Sequence, residues 1–292
     1  MLDPVGIIGL GRIGLCAANA FLEVGYRVFG YDINHAALNQ FVSAGGISVQ
    51  NPEEITRHVE VVIILALNDE QVIEIIDGKN GILKSSNSTL TVICMSTINR
   101  STLETLASKC NQSNIGFVDC PFTGGPARIK SRSLTLIAAA PTTIIQRVTP
   151  ALEVLGKITY VGSEPGLGQA VKHCNQLLVG ATHAATMEVI SLSRKLGLDP
   201  SLVTSVISSG IAGSDYFRLL SESVLMKTPS PGALGQMSKD MSIVVKTLDK
   251  AGMHGYVATA AWTYFSEASR LGMEDREGAD LIDVVEKMSV KK

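Results

Sequence analysis

No basic block, no long apolar run and no paired cysteines occur in this sequence of 292 residues. Each absence excludes a class of protein. Lys+Arg number 25 against 27 Asp+Glu, a formal net charge of −2, so nothing offers the concentrated positive charge that nucleic acid requires. The longest aliphatic stretch, residues 61–67, falls far short of the roughly 20 residues of a membrane span. Cys16, Cys94, Cys110, Cys120 and Cys174 are odd in number and show no CxxC spacing. They read as reduced thiols in a reducing compartment, not as a disulfide framework or a zinc site. Charged residues are scarce at 18%, against 46% hydrophobic, which excludes disorder and favours a well-buried core or a subunit interface. The opening Met1-Leu2-Asp3-Pro4 runs at once into a strand-like segment, leaving no room for a secretory or transit sequence and pointing to the cytoplasm. Single cores rarely grow past about 250 residues, so two domains are expected.

The first half alternates short β-branched runs (5–8, 27–31, 61–67, 91–95, 116–120, 134–138, 159–161) with amphipathic segments at 13–24, 36–43, 71–76 and 103–109. That alternation predicts βαβ units and a parallel sheet. Ser101 and Glu104 have capping-box spacing and predict a helix start at Ser101. After Gly166 the strand signal ends. Residues 166–196 read as one long helix of roughly 46 Å, stopped by Gly197 and followed by an Asp199-Pro200 helix start. Further helices are expected at 201–208, 215–225, 233–251, 257–271 and 279–288, the third burying Met237, Met241, Val244, Val245 and Leu248. The fold class is therefore α/β, a doubly wound sheet domain at 1–163 joined by a long helix to an all-α domain at 164–292.

Gly9-Leu10-Gly11-Arg12-Ile13-Gly14 follows the first strand and opens a helix. A GxGxxG is weak alone, but this context is the one a Rossmann-type dinucleotide site demands: Gly9 for the turn, Gly11 for approach of a pyrophosphate, Gly14 for close packing. Free N–H groups and the helix dipole then attract the anion. Asp32 closes the second strand, where a carboxylate binds ribose hydroxyls, although it could instead start a turn or cap the next helix. A carboxylate repels a 2′-phosphate, and Ile33-Asn34-His35 offers no arginine, so NAD is expected over NADP.

Four segments in order resemble the β-hydroxyacid dehydrogenase family, which includes 3-hydroxyisobutyrate dehydrogenase. They are the loop at 9–14, with Asn19 beyond it; Asp119-Cys120-Pro121-Phe122-Thr123-Gly124-Gly125, similar to D-x-P-V-S-G-G; Gly166-Leu167-Gly168-Gln169-Ala170-Val171-Lys172-His173-Cys174-Asn175, similar to G-x-G-x-x-x-K-x-x-N; and Lys239-Asp240, similar to K-D-L. The resemblance implies Lys172 as the catalytic acid/base. A lysine serves that role when desolvation or a nearby cation brings its pKa from about 10.4 toward neutrality. It further implies a small carboxylate-bearing substrate held by Thr123, Gly124, Gly125, Asn175, Gln176, Lys239 and Asp240. Cofactor contacts are implied at residues 9–14, Asp32, Leu67, Asn68, Ser96, Thr97 and Lys239.

Bland readings stand beside these. Ser96 and Thr97 could serve the helix before Leu103, Lys239 and Asp240 could form a surface ion pair, and Asn175 or Gln176 could join two helices. Gln176 departs from the family's usual asparagine, Thr123 from serine, and Ile129 and Arg132 from alanine and glycine. Arg128, Lys130 and Arg132 could raise the potential toward an acidic substrate or simply be solvated. His173 and His183 read as core or surface residues, with no metal, and Trp262 and Tyr264 as packing. The resemblance implies hydride transfer between NAD and a 3-hydroxyisobutyrate-, glycerate/tartronate semialdehyde- or threonate-like acid, in a homodimer or homotetramer. Competing functions are a non-catalytic NAD-binding scaffold, oxidative decarboxylation of a 3-hydroxy acid, and imine reduction.

Overall fold

The computed structural model describes residues 3–230 and 232–289; Met1 and Leu2, part of the reading of the N-terminus, lie outside them. The chain divides after Lys172 into two compact units. The first contains β1 (Val5–Ile8), α1 (Arg12–Glu23), β2 (Val28–Tyr31), α2 (His35–Ser43), β3 (Ile47–Ser48), α3 (Pro52–Ile55), β4 (Val61–Ile64), α4 (Asp69–Asp77), β5 (Thr91–Cys94) and α5 (Arg100–Gln112). It continues through β6 (Gly116–Asp119), β7 (Phe122–Thr123), α6 (Pro126–Lys130), β8 (Leu134–Ala139), α7 (Thr142–Glu153) and β9 (Gly156–Gly162). Helix α8 (Leu167–Lys195) begins in this unit and continues into the second.

The strand order is β3-β2-β1-β4-β5-β6-β8-β7, with β9 on β8. Pairings from β3 to β6 are parallel, whereas β8 runs antiparallel to β6 and β7 and parallel to β9. The continuous apolar runs exist because both faces of the central strands are covered. Successive side chains go to opposite sides: Ile63 and Ile93 join one buried cluster, while Val62, Ile64, Val92 and Cys94 join the other. The sheet reverses direction at β1, which lies between β2 and β4. A crevice at the carboxyl end of such a switch is where ligands enter open α/β sheets.

One helix start differs from expectation. Helix α5 begins at Arg100 with Asn99 as its N-cap residue, and Ser101 lies inside it. Asn99 spends its side chain on Asp69, and Glu104 pairs with Arg100 at 2.7 Å.

The second unit holds α8 from His173 onward, α9 (Pro200–Ser209), α10 (Asp215–Met226), α11 (Leu234–Lys250), α12 (Tyr256–Arg270) and α13 (Leu281–Met288). Gly197, at φ +71°, follows α8, and Leu198 N–H donates to Ser193 O. Asp199 then accepts from Ser201 N–H at 2.9 Å, with Pro200 in the first turn of α9. On α11, Met237, Met241 and Val244 are buried, while Val245 and Leu248 pack at the margin of the same cluster.

Within that core His183 is fully buried, bonded to Gly278 O at 2.9 Å and to the Tyr216 hydroxyl at 3.0 Å. Burial lowers its pKa from 6.5 to about 4. The folded value lies below the unfolded one, so this stabilisation is present above pH 6.5 and lost as pH falls through about 4. The corresponding loss is about 3 kcal/mol. The stability gap between the parent and His183→Phe, measured by urea unfolding, should shrink by about that amount from pH 7 to pH 4. A gap independent of pH would contradict the assignment.

Candidate active site

The glycine loop shows three different constraints. Gly9 has φ +93°, and a Cβ there would lie 2.6 Å from Leu65 O. At Gly14 a Cβ would lie 1.8 Å from Gly9 O, so helix α1 starts hard against the loop itself. Gly11 is different: its φ of −65° suits any residue, and a Cβ would meet nothing within 4 Å. The protein's own packing does not require glycine there, but the approach of a ligand does. No side chain caps α1, which leaves its N-terminal N–H groups for an anion.

Asp32 lies at the end of β2. Its Oδ2 accepts from Leu10 N–H at 2.5 Å and its Oδ1 from Asn34 N–H at 2.7 Å. Helix α2 is capped by Asn34, whose Oδ1 accepts from Ala36 and Ala37 N–H. Asp32 thus ties the second strand to the glycine loop, with carboxylate lone pairs remaining for ribose hydroxyls. Arg12 is exposed at the first position of α1.

Asn68 caps α4 through Gln71 N–H, and Leu67 N–H is taken by Gln71 Oε1, leaving the Leu67 side chain 52% exposed. Ser96 and Thr97 follow β5, and neither caps α5. The Ser96 hydroxyl is buried and has no hydrogen-bond partner, a costly state that a bound ligand would relieve. The open position at Gly11, the uncapped α1 and this orphaned hydroxyl all suit a dinucleotide.

Lys172 lies in the second turn of α8 and is buried, with Nζ 5.9 Å from the ring centroid of Phe122. That is cation–π range. Phe122 and Thr123 form β7, opposite Leu136 and Thr135 of β8, and Gly124 and Gly125 follow at φ +140° and +156°. Gly125 (φ +156°, ψ −176°) takes an extended conformation open to glycine alone, and Pro126 after it has no N–H. The Arg128 side chain lies over Gly124, and Arg132 takes the left-handed conformation at φ +52°.

The start of α8 is held by a residue for which the sequence reading gave no role. Asp119, fully buried at the end of β6, accepts from Gly166 N–H at 2.9 Å, Gln169 N–H at 3.1 Å and Gln169 Nε2 at 3.1 Å. Burial pushes its carboxyl up from 3.8 to about 6, opposed by those hydrogen bonds. The nearby Cys94 and Cys120 thiols are also pushed up by burial. In the sequence Asp119 stands out as a charged residue closing an apolar strand and as the first residue of the D-x-P-V-S-G-G-like segment.

In the second unit four site candidates form a chain. Asn175 Nδ2 donates to Gln176 Oε1 at 3.0 Å, Gln176 Nε2 donates to Asp240 Oδ2 at 2.7 Å, and Lys239 Nζ lies 2.7 Å from Asp240 Oδ1. Asp240 is only 1% exposed, so its pairing with Lys239 is not an ordinary surface ion pair. Gln176, longer than asparagine by one methylene, reaches that carboxylate. Among the described residues, no group of three or more His, Cys, Asp or Glu side chains could hold a metal, and no helix is long and apolar enough to cross a membrane.

A doubly wound sheet with this loop at its switch point is the arrangement of a dinucleotide-binding domain. A family model described as the NAD binding domain of 6-phosphogluconate dehydrogenase matches residues 4–162. Another, described as NAD-binding of NADP-dependent 3-hydroxyisobutyrate dehydrogenase, matches residues 166–285. The chain belongs to the β-hydroxyacid dehydrogenase family. It is 28% identical to an L-threonate dehydrogenase of Cupriavidus necator over 97% of this chain and 96% of that one. It is 26% identical to a 2-hydroxy-3-oxopropionate reductase of Escherichia coli over 98% of each. The crystal structure of 3-hydroxyisobutyrate dehydrogenase from Salmonella typhimurium matches with a TM-score of 0.87 at 25% identity, covering 97% of this chain and all of that one.

Proposed function

We propose that this chain interconverts a small hydroxy acid and the matching oxo acid, with Lys172 as the acid/base. The observation that carries the reading is the burial of the Lys172 side chain, with its Nζ 5.9 Å from the ring of Phe122, the residue before Thr123. The nicotinamide, when bound, supplies the hydride acceptor or donor. On oxidation Lys172 Nζ takes the hydroxyl proton; on reduction it returns it. Thr123 Oγ1 and the N–H groups of Gly124 and Gly125 hold the substrate carboxylate. Asn175 and Lys239 are further substrate-binding candidates, with Gln176 and Asp240 fixing them. The α1 N-terminus at Arg12 and Ile13 would hold the pyrophosphate, and Leu67, Asn68, Ser96 and Thr97 would complete the cofactor's surroundings.

The relatives named for L-threonate and for 2-hydroxy-3-oxopropionate support a polar, short-chain acid. Asp32 supports NAD over NADP, since its charge would meet a 2′-phosphate with no arginine in the next three residues. Steady-state kinetics with both cofactors should favour NAD; an NADP preference above about tenfold, or 1.4 kcal/mol, overturns that part. Exposed Leu202, Val206 and Ile211 in the second unit support a homodimer or homotetramer, which a monomer in light scattering contradicts. The unpaired spacing of the five cysteines supports a cytoplasmic location.

A further inference from the structure

The start of the lysine helix is tied to the segment after β5 by a buried network that accepts only one arrangement of donors and acceptors. Ile98 N–H donates to Gln169 Oε1 at 3.1 Å, and Gln169 Nε2 donates to Ser96 O at 3.0 Å and to Asp119 Oδ1 at 3.1 Å. The Gln169 amide cannot be turned over. Reversed, its NH2 would face the Ile98 N–H and its oxygen the Ser96 carbonyl. Asp119 Oδ1 must therefore accept. Asp119 Oδ2 must accept too, because the N–H groups of Gly166 and Gln169 both point at it. A group that accepts at both oxygens is a carboxylate; an amide offers a single acceptor, and a protonated acid places a hydrogen on one oxygen.

Asp119 and Gln169 are both 0% exposed, so any mismatch carries its whole desolvation cost. Gly168 completes the fit, since a Cβ there would come within 2.9 Å of the Asp119 carboxylate. Keeping an ion in the core is expensive, and this one sits at the positive end of a 29-residue helix. Lys172 follows Gln169 by three residues, on the next turn of the same helical face. Ser96, at the other end of the network, carries the buried unpartnered hydroxyl.

We propose that Asp119 and Gln169 are positioning residues for the reaction, clamping the first turns of α8, and so Lys172, to the Ser96–Ile98 segment. The proposal rests on the reading of Lys172 as acid/base. Neither side chain needs to touch substrate. Their role is to hold the amine in register with the segment where the nicotinamide is expected, and displacement of a reacting group by about 1 Å costs roughly 100-fold in rate.

The test is steady-state kinetics of Asp119→Asn, Gln169→Glu and the double variant, with NAD and with L-threonate, 3-hydroxyisobutyrate and glycerate. NADH affinity by fluorescence and Tm are measured alongside. Each single variant should lower kcat by roughly 10- to 100-fold while NADH affinity is retained. The double variant puts the amide at 119 and the carboxylate at 169; it re-forms their pair in reverse but sets a carboxylate oxygen against the Ser96 carbonyl, so its kcat should stay well below the parent's. Parental kcat in folded Asp119→Asn overturns the proposal. So does parental kcat in the folded double variant, or a loss of NADH affinity parallel to kcat, which marks general damage. If Asp119→Asn fails to fold, Gln169→Leu decides by the kcat and NADH readouts, because it leaves the carboxylate its two helix N–H donors. Failure of the Lys172 reading shows differently, as turnover that survives Lys172→Ala.

Discussion

Lys172→Ala should lower kcat by about 10² to 10⁴-fold, the usual contribution of a positioned proton-transfer group, while NADH still binds. The two effects separate because the groups that suit the pyrophosphate and ribose, in the glycine loop and at Asp32, do not include the Lys172 amine. Alanine is also the best helix former, so α8 should survive the change. The lost contact with Phe122 is a cation–π interaction worth about 1 kcal/mol, too little to unfold the protein. Retention of more than about a tenth of parental turnover would contradict the role of Lys172.

Gly11→Val should raise the Kd for NADH by roughly 100-fold, yet leave the fold almost intact. The loss corresponds to about 3 kcal/mol, one or two charge-assisted hydrogen bonds between phosphate and backbone. Its backbone conformation suits valine, and a Cβ enters open space; the expected stability cost is a helix-cap effect of about 1 kcal/mol. Gly14→Val supplies the contrast. There the added carbon collides with Gly9 O, so stability and cofactor binding should fall together. Equal NADH affinity in Gly11→Val and the parent would remove the pyrophosphate from this loop.

Legibility of the fold followed the physics of each element. The central strands were readable because burial on both faces makes continuous apolar runs, and α8 because apolar residues recur along it to a glycine stop. Helix α7 was not foreseen: Thr142, Thr143, Ile144 and Ile145 resemble a strand, and Pro150 lies inside it. It forms because Val148, Ala151 and Leu152 are buried together, which local propensity does not encode. The short β3, α3, β7 and α6 carry too few residues for a periodic signal. Ser101 was mistaken for a cap because the true boundary residue, Asn99, spends its side chain on Asp69, 30 residues away.

The candidate site was legible where one segment supplies the chemistry, as at Gly9, Gly11 and Gly14, or where the motif names the residue, as at Lys172. It was not legible where partners are far apart. Gln176 meets Asp240 across 64 positions and Asp119 meets Gln169 across 50, so neither pairing could be read before the chain was folded.

The central claim is that this chain moves hydride between a hydroxy acid and a nicotinamide. Its most direct test is NADH formation, followed by near-ultraviolet absorbance, with NAD and a panel of 3-hydroxyisobutyrate, glycerate, threonate and 3-hydroxypropionate. Sustained turnover of at least one acid, abolished by Lys172→Ala, is the predicted result. Tight NADH binding with no turnover of any panel acid, in either direction, would contradict the account and leave a cofactor-binding scaffold in its place.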